Sequence, residues 1–127
     1  MNIRELIPKH KHDTLTAEKL KDYSYAEIKP IIPDLLEWIQ DMNWPVARPV
    51  AAYLETLTEY ISEDILEILK GDDEVWKYWT IMYLGAVTQD NEVLNEIKRI
   101  AHNPTKAEII DEVDEEARRI LEERNIS

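Results

Sequence analysis

Apolar positions along this chain recur at three- and four-residue steps, and one such stretch occurs twice. Leu35, Leu36, Trp38 and Ile39 are followed by Asp41 and Asn43, then by Trp44 to Leu54. Ile65, Leu66, Ile68 and Leu69 are followed by Asp72 and Asp73, then by Val75 to Leu84. Glu37 and Glu67 lie 30 residues apart (67 − 37), as do Leu54 and Leu84, and a looser third copy follows. A period of this length signals stacked helical hairpins, each too small to bury its apolar face alone. The pattern therefore predicts an all-α fold, an alpha-alpha superhelix with a right-handed stack of short hairpins.

The polar punctuation agrees. Strand signals are nearly absent: there are two glycines, no Asn-Gly or Asp-Gly turn and no sustained alternation. Ser24 to Glu27 and Thr105 to Glu108 have the capping-box form, in which a hydroxyl and a carboxylate three residues on satisfy the free amides of a helix start. Pro30 and Pro33 forbid one continuous helix through this stretch and place a break near Ile31, with Pro33 in the first turn of a new helix. The expected elements are a short helix near Thr16 to Asp22 and a turn at Tyr25 to Lys29. Further helices are expected over Pro33 to Gln40, Pro45 to Leu57, Ser62 to Lys70, Glu74 to Gly85, Glu92 to Ala101 and Lys106 to Arg124. Gly71 fits a helix C-terminal cap, and Asn103-Pro104 stops the helix before the last one.

Val75 to Leu84 is apolar or aromatic around nearly its whole circumference, with Trp76, Trp79 and Tyr83 on one face, which predicts a central helix with its rings in the core. In the last helix, Ile109, Ile110, Val113, Ala117, Ile120 and Leu121 keep a period suited to docking on the array. Its acids, from Glu108 to Glu123, are expected to form a solvated face, with Arg118 and Arg119 paired to Asp114 and Glu115 one turn back.

Composition narrows the function classes. At 127 residues the chain is expected to be a single domain, 1–127, large enough for an ordinary core. There is no cysteine, hence no disulfide and no thiolate metal site, and the start of the chain lacks the apolar run of a signal peptide. A cytoplasmic, soluble protein is the expectation, without a membrane partner. The formal charge is −12, with five Lys/Arg against four Asp/Glu in residues 1–22, so that +1 lies there and −13 in the rest. That sign is wrong for gripping phosphates, so nucleic acid is not an expected partner. No phosphate-cradling glycine loop, dinucleotide fingerprint or nucleophile-base pair is present, and no cofactor is expected.

The two junctions between helices also carry an Asp in the turn, then a hydrophobic and a basic residue entering the next helix: Asp41, Val46 and Arg48, then Asp72, Val75 and Lys77. They resemble HEAT-like repeats of the short type. An acid at a helix start interacts well with the amide dipoles and can pair with the basic residue of a neighbouring unit. Leu6 to Asp13 (LIPKHKHD) and Leu35 to Ala47 (LLEWIQDMNWPVA) are more specific. Together they resemble a bacterial family of small single-domain proteins described as a domain of unknown function, with a likeness extending from about Ile3 through Leu84 and fading after Gln89. This resemblance implies the helical fold and a bacterial, cytosolic setting, and it transfers no catalytic residue.

Two segments carry candidate chemistry. His10, His12 and Asp13 offer nitrogen and oxygen ligands, but His-x-His aims both rings one way only on an extended segment, and His102 is remote. No metal site is expected; the plainer reading is a loop whose Asp13 caps the first helix and whose Lys9 and Lys11 form the one basic spot, open to an acidic partner. In Asp41 to Pro45, Asn43 can cap a helix entered at Trp44 and Pro45. Alternatively, this turn is a ridge facing a partner, because Trp is enriched in binding hot spots. The candidate protein-binding residues are Lys9, Lys11, Asp41, Asn43, Trp44, Pro45, Asp72 and Asp73. The expected function is a non-enzymatic protein-interaction module whose partner has a basic surface. The alternatives are an immunity or inhibitor protein that neutralises a basic toxin or nuclease, and a small metal-dependent hydrolase built near His10 and His12.

Overall fold

The computed structural model describes residues 2–127, and their regular secondary structure is all helical, with no strand among them. The α-helices are α1 (Thr14–Lys19), α2 (Tyr25–Ile28), α3 (Ile32–Glu37), α4 (Ala47–Glu55), α5 (Ser62–Leu69), α6 (Glu74–Thr80), α7 (Asn91–His102), α8 (Lys106–Ile110) and α9 (Val113–Glu123). Single 3-10 turns precede α1, α2 and α3, and α6 runs on into a π-helical turn at Ile81–Gly85. No helix among the described residues is long and apolar enough to cross a membrane.

The thirty-residue period corresponds to helix starts. α3, α5 and α7 begin at Ile32, Ser62 and Asn91, separated by 30 and 29 residues. Each is followed by a second helix that packs on it: α3 on α4, α5 on α6 and α7 on α9. Between units, α5 contacts α7, while α4 and α9 both meet the end of α6, giving two rows of helices with the core between them. That core holds Leu35, Leu54, Ile65, Leu69, Ile81, Leu84, Val93, Ile97, Val113 and Ile120, all essentially fully buried. Gly85 is small because α7 passes close by: a Cβ there would lie 3.0 Å from Ile97 Cδ1. Its carbonyl, left free by the end of the helix, accepts a 2.7 Å hydrogen bond from Arg124.

Both capping boxes form. The Ser24 and Thr105 amides donate to the carboxylates of Glu27 and Glu108, which return their own amides to the two hydroxyls. Asp13 caps α1 by accepting from the Thr16 amide. The break near Ile31 is a 3-10 turn at Lys29–Ile31, with Pro33 in the first turn of α3.

Several boundaries differ from the sequence expectation. Tyr25 to Lys29 is a helical turn rather than an irregular one, because the Ser24 box nucleates it. Gly71 follows α5 without adopting the left-handed conformation; its amide simply donates to the Ile68 carbonyl. Asn43 is not a cap: α4 starts at Ala47, after Val46, with no side-chain cap. Asp41 instead accepts a 2.8 Å bond from the Asn43 amide, a local turn that competes with helix initiation. The long C-terminal helix is two, because Glu112 adopts a left-handed φ of 61°. On the near side of the break Glu108 is 0 % exposed and points inward, which leaves Ile109 and Ile110 outward, 53 % and 70 % exposed. Only Val113, Ala117, Ile120 and Leu121 dock as expected.

The central helix is also less uniformly buried than its composition suggests. Thr80, Ile81 and Leu84 are fully enclosed, whereas Trp76, Tyr78, Trp79 and Tyr83 are half-buried on its flanks and Val75 is exposed. Long aliphatic side chains fill the innermost positions, and all four Trp rings sit at the boundary with solvent.

Candidate functional site

Three adjoining concavities lie along α3. The first, about 560 Å³, lies against α5 and is lined by Tyr25, Ile32, Pro33, Tyr60 and Leu66 together with Glu59, Glu63, Asp64, Asp90 and Glu92. The second, about 420 Å³, adds Leu36, Ile68 and Trp76 with Glu37, Glu67, Asp72 and Asp73. The third, about 290 Å³, lies against the N-terminal loop, between Ile7, Pro8, Trp38 and Trp44, and adds Asp34. The first and second share Pro33 and Asp64, and the second and third share Glu37, so each adjoins the next. Among the described residues, ten carboxylates line this trough of three concavities, and the only cationic side chain lining them is Lys29.

The folding of α5 explains the concentration. Ile65, Ile68 and Leu69 must face the core, which leaves Glu63 and Glu67, one turn apart, on the outside. Like charges at that spacing oppose the helix, and among the described residues neither is in an ion pair. Among the described residues, Arg4 approaches Asp34 at 3.6 Å, and none of the other nine carboxylates is in an ion pair. Asp64, half-buried, has its carboxyl pushed above the usual range by burial and then by the charges of Glu67 and Glu63. Asp73 and Asp90 do have backbone duties, accepting the Trp76 and Val93 amides at 3.0 Å as caps of α6 and α7.

Aromatic rings punctuate the trough. Tyr25 and Tyr60 stack at 4.8 Å with planes 10° apart, and Tyr60 remains 54 % exposed. Trp76 donates its indole N–H to the Leu36 carbonyl at 3.0 Å, which ties α6 to α3. Trp38 and Trp44 meet edge to face at 5.4 Å. A half-apolar floor with carboxylate rims offers hydrogen-bond acceptors and ring faces, the chemistry that receives ammonium or guanidinium groups.

The acids of α8 and α9 behave differently. Glu108 accepts from Arg99 through both oxygens (2.6 and 2.8 Å), from Lys77 at 3.0 Å and from the Thr105 amide at 2.8 Å. Glu96 accepts from Arg99 as well, and Glu74 lies 3.1 Å from Lys77. Burial raises the Glu108 carboxyl, but hydrogen bonds from Arg99, Thr105 and Lys77 outweigh it and hold it at about 2. The expectation of a solvated acidic face is corrected in part: Glu108, Asp114 and Glu116 are buried, whereas Asp111, Glu112, Glu115, Glu122 and Glu123 are exposed. Arg118 does pair with Asp114, but Arg119 pairs with Glu116 and Glu123 rather than Glu115. Lys77, too, is committed to Glu74 and Glu108 and not to a turn Asp of a neighbouring repeat.

Of the residues singled out from sequence, Trp44, Asp72 and Asp73 line the trough, near opposite sides of Glu37. Asp41, Asn43, Pro45, Lys9 and Lys11 line none of the three concavities. The two candidate segments are nevertheless joined, since the Val46 amide donates to the Lys11 carbonyl at 3.0 Å. The Lys9 ammonium reaches the Glu5 carbonyl at 3.3 Å. His10 accepts the His12 amide on Nδ1, and Asp13 accepts the amides of Lys9 and Thr16, so these would-be ligands are engaged in shaping the loop. Among the described residues no group of three or more His, Asp or Glu is placed to hold a metal ion. Sequence reasoning missed Glu37, Tyr60, Glu63, Asp64 and Glu67. The signal was present in the repulsive spacing of Glu63 and Glu67.

A search of curated proteins finds no match to the chain. Residues 6–121 match a family profile, so the likeness reaches well beyond Leu84 and takes in the last helices. The chain belongs to the family described as a domain of unknown function, DUF5071.

Proposed function

We propose that this protein is a non-enzymatic protein-interaction module that receives a basic partner along the α3 trough. The observation that carries the reading is the imbalance of ten carboxylates against one lysine around three adjoining, partly apolar concavities. Opposite potentials speed encounter and fix register, and salt screens them over ~8–10 Å near physiological ionic strength. Stacked-hairpin scaffolds present extended surfaces of this kind to other macromolecules. Free DNA and RNA, being polyanions, are excluded by the same field.

The test is fluorescence anisotropy with dye-labelled nona-lysine, nona-glutamate and a short DNA duplex. Nona-lysine is expected to bind at low salt and to weaken by ~10-fold or more at high salt, while the two polyanions stay free. A Glu67→Lys, Asp72→Lys double variant should lose most of the binding, and Glu115→Lys, Glu122→Lys on α9 should not. Asp73 is left in place because it caps α6. Absence of nona-lysine binding, or equal loss in both double variants, would contradict the assignment of the trough.

A further inference from the structure

We propose that the first concavity of the trough is an arginine-reading subsite, in which a guanidinium lies on the face of Tyr60 and is forked by the carboxylates of Glu63 and Asp64. The inference rests on the reading of the trough as the surface for a basic partner and adds which cation anchors it. Three features single out this position among the three concavities. It is the largest, about 560 Å³, and has room for an arginine side chain with its stem against Ile32, Pro33 and Leu66. It holds the one large aromatic of the trough that is more than half exposed, and that ring is braced in place by stacking on Tyr25. It also combines a half-buried carboxylate, Asp64, with an outer one, Glu63, on the same turn of α5.

A planar, weakly hydrated guanidinium uses such a site better than an ammonium does. It stacks on an aromatic face while five N–H groups in the ring plane remain free for carboxylates. An ammonium must shed a tighter hydration shell to reach Asp64 and presents no flat face to Tyr60. Asp64 is the group that gains most, because burial and two like-charged neighbours disfavour its ionised form until a cation arrives.

The test compares dye-labelled nona-arginine with nona-lysine on the full chain at one salt concentration. Wild type is expected to bind nona-arginine ~5-fold or more tightly than nona-lysine. Tyr60→Leu and, independently, Asp64→Asn should bring that ratio towards one with little change for nona-lysine, while Tyr60→Phe, which keeps the ring face, should preserve it. Circular dichroism on each variant confirms that the helices are retained. Equal binding of both peptides to wild type, or an unchanged ratio in Tyr60→Leu and Asp64→Asn, would overturn the subsite and leave the trough standing. Failure of both peptides to bind would overturn the trough and the subsite with it.

Discussion

Two acidic regions of this molecule have opposite fates. Around Glu108, four donors surround one carboxylate, both neighbouring cations carry a second acid, and Glu108 and Lys77 are buried where α6, α7 and α8 bring these groups together. Along α3, nine of the ten carboxylates are in no ion pair among the described residues, and two of them sit one turn apart on the same helix. The net charge of −12 is therefore not spread evenly in its consequences. Acids that the fold neutralises hold helices together, and acids that it leaves facing one another are a standing repulsion that an outside cation can relieve.

The largest effect belongs to the first region. Glu108→Ala should destabilise by ~3–5 kcal/mol, because it strands Lys77, almost fully buried, and Arg99 without their shared acceptor. Urea denaturation checks this, and a loss under ~1 kcal/mol would erase the contrast between the regions.

Acid titration separates the regions next. The Glu108 carboxyl is held at about 2, against an ordinary value of 4.5. A lowered folded value means stability that is complete above ~4.5 and is lost as the pH falls towards ~2, amounting to ~3 kcal/mol. Asp64 has the opposite sign: its raised carboxyl makes the folded state resist ionisation, so protonation there favours folding. In urea midpoints measured across this range, wild type should fall steeply below pH ~4.5, and Glu108→Gln should show a shallower decline from a lower plateau.

Asp73 blurs the comparison, since it lines the trough yet caps α6. Asp73→Ala should cost ~1 kcal/mol, the ordinary cost of a lost cap. Glu67→Gln, with no such duty, should instead stabilise by ~0.2–0.5 kcal/mol at low salt, and the gain should vanish at high salt. A destabilised Glu67→Gln would mean that the trough acids are structural after all.

Much of the scaffold was legible because local rules and tertiary packing agree. The thirty-residue offset reappears as the starts of α3 and α5, and both capping boxes form at Ser24 and Thr105. Where they conflict, packing wins. Glu108 reads as one more surface acid in an acidic helix, and its partners Lys77 and Arg99 come from other helices that the local sequence does not reveal. The site was legible in part for a related reason. Asp72, Asp73 and Trp44 stand in turns whose exposure the repeat predicts, whereas Tyr60 and Asp64 become neighbours of Lys29 and Pro33 only through the packed fold. Asp41, chosen for the same turn, spends its carboxylate on the Asn43 backbone amide.

The central claim, that the unneutralised acids of α3 and α5 form one receiving surface, is tested most directly by mapping backbone amide shifts of labelled protein during titration with unlabelled nona-arginine. The account predicts perturbations concentrated at Lys29 to Glu37, Glu59 to Asp73 and Asp90 to Glu92, with α9 quiet. Shifts centred on the acids of α9, or scattered over the whole surface without regard to the trough, would contradict it.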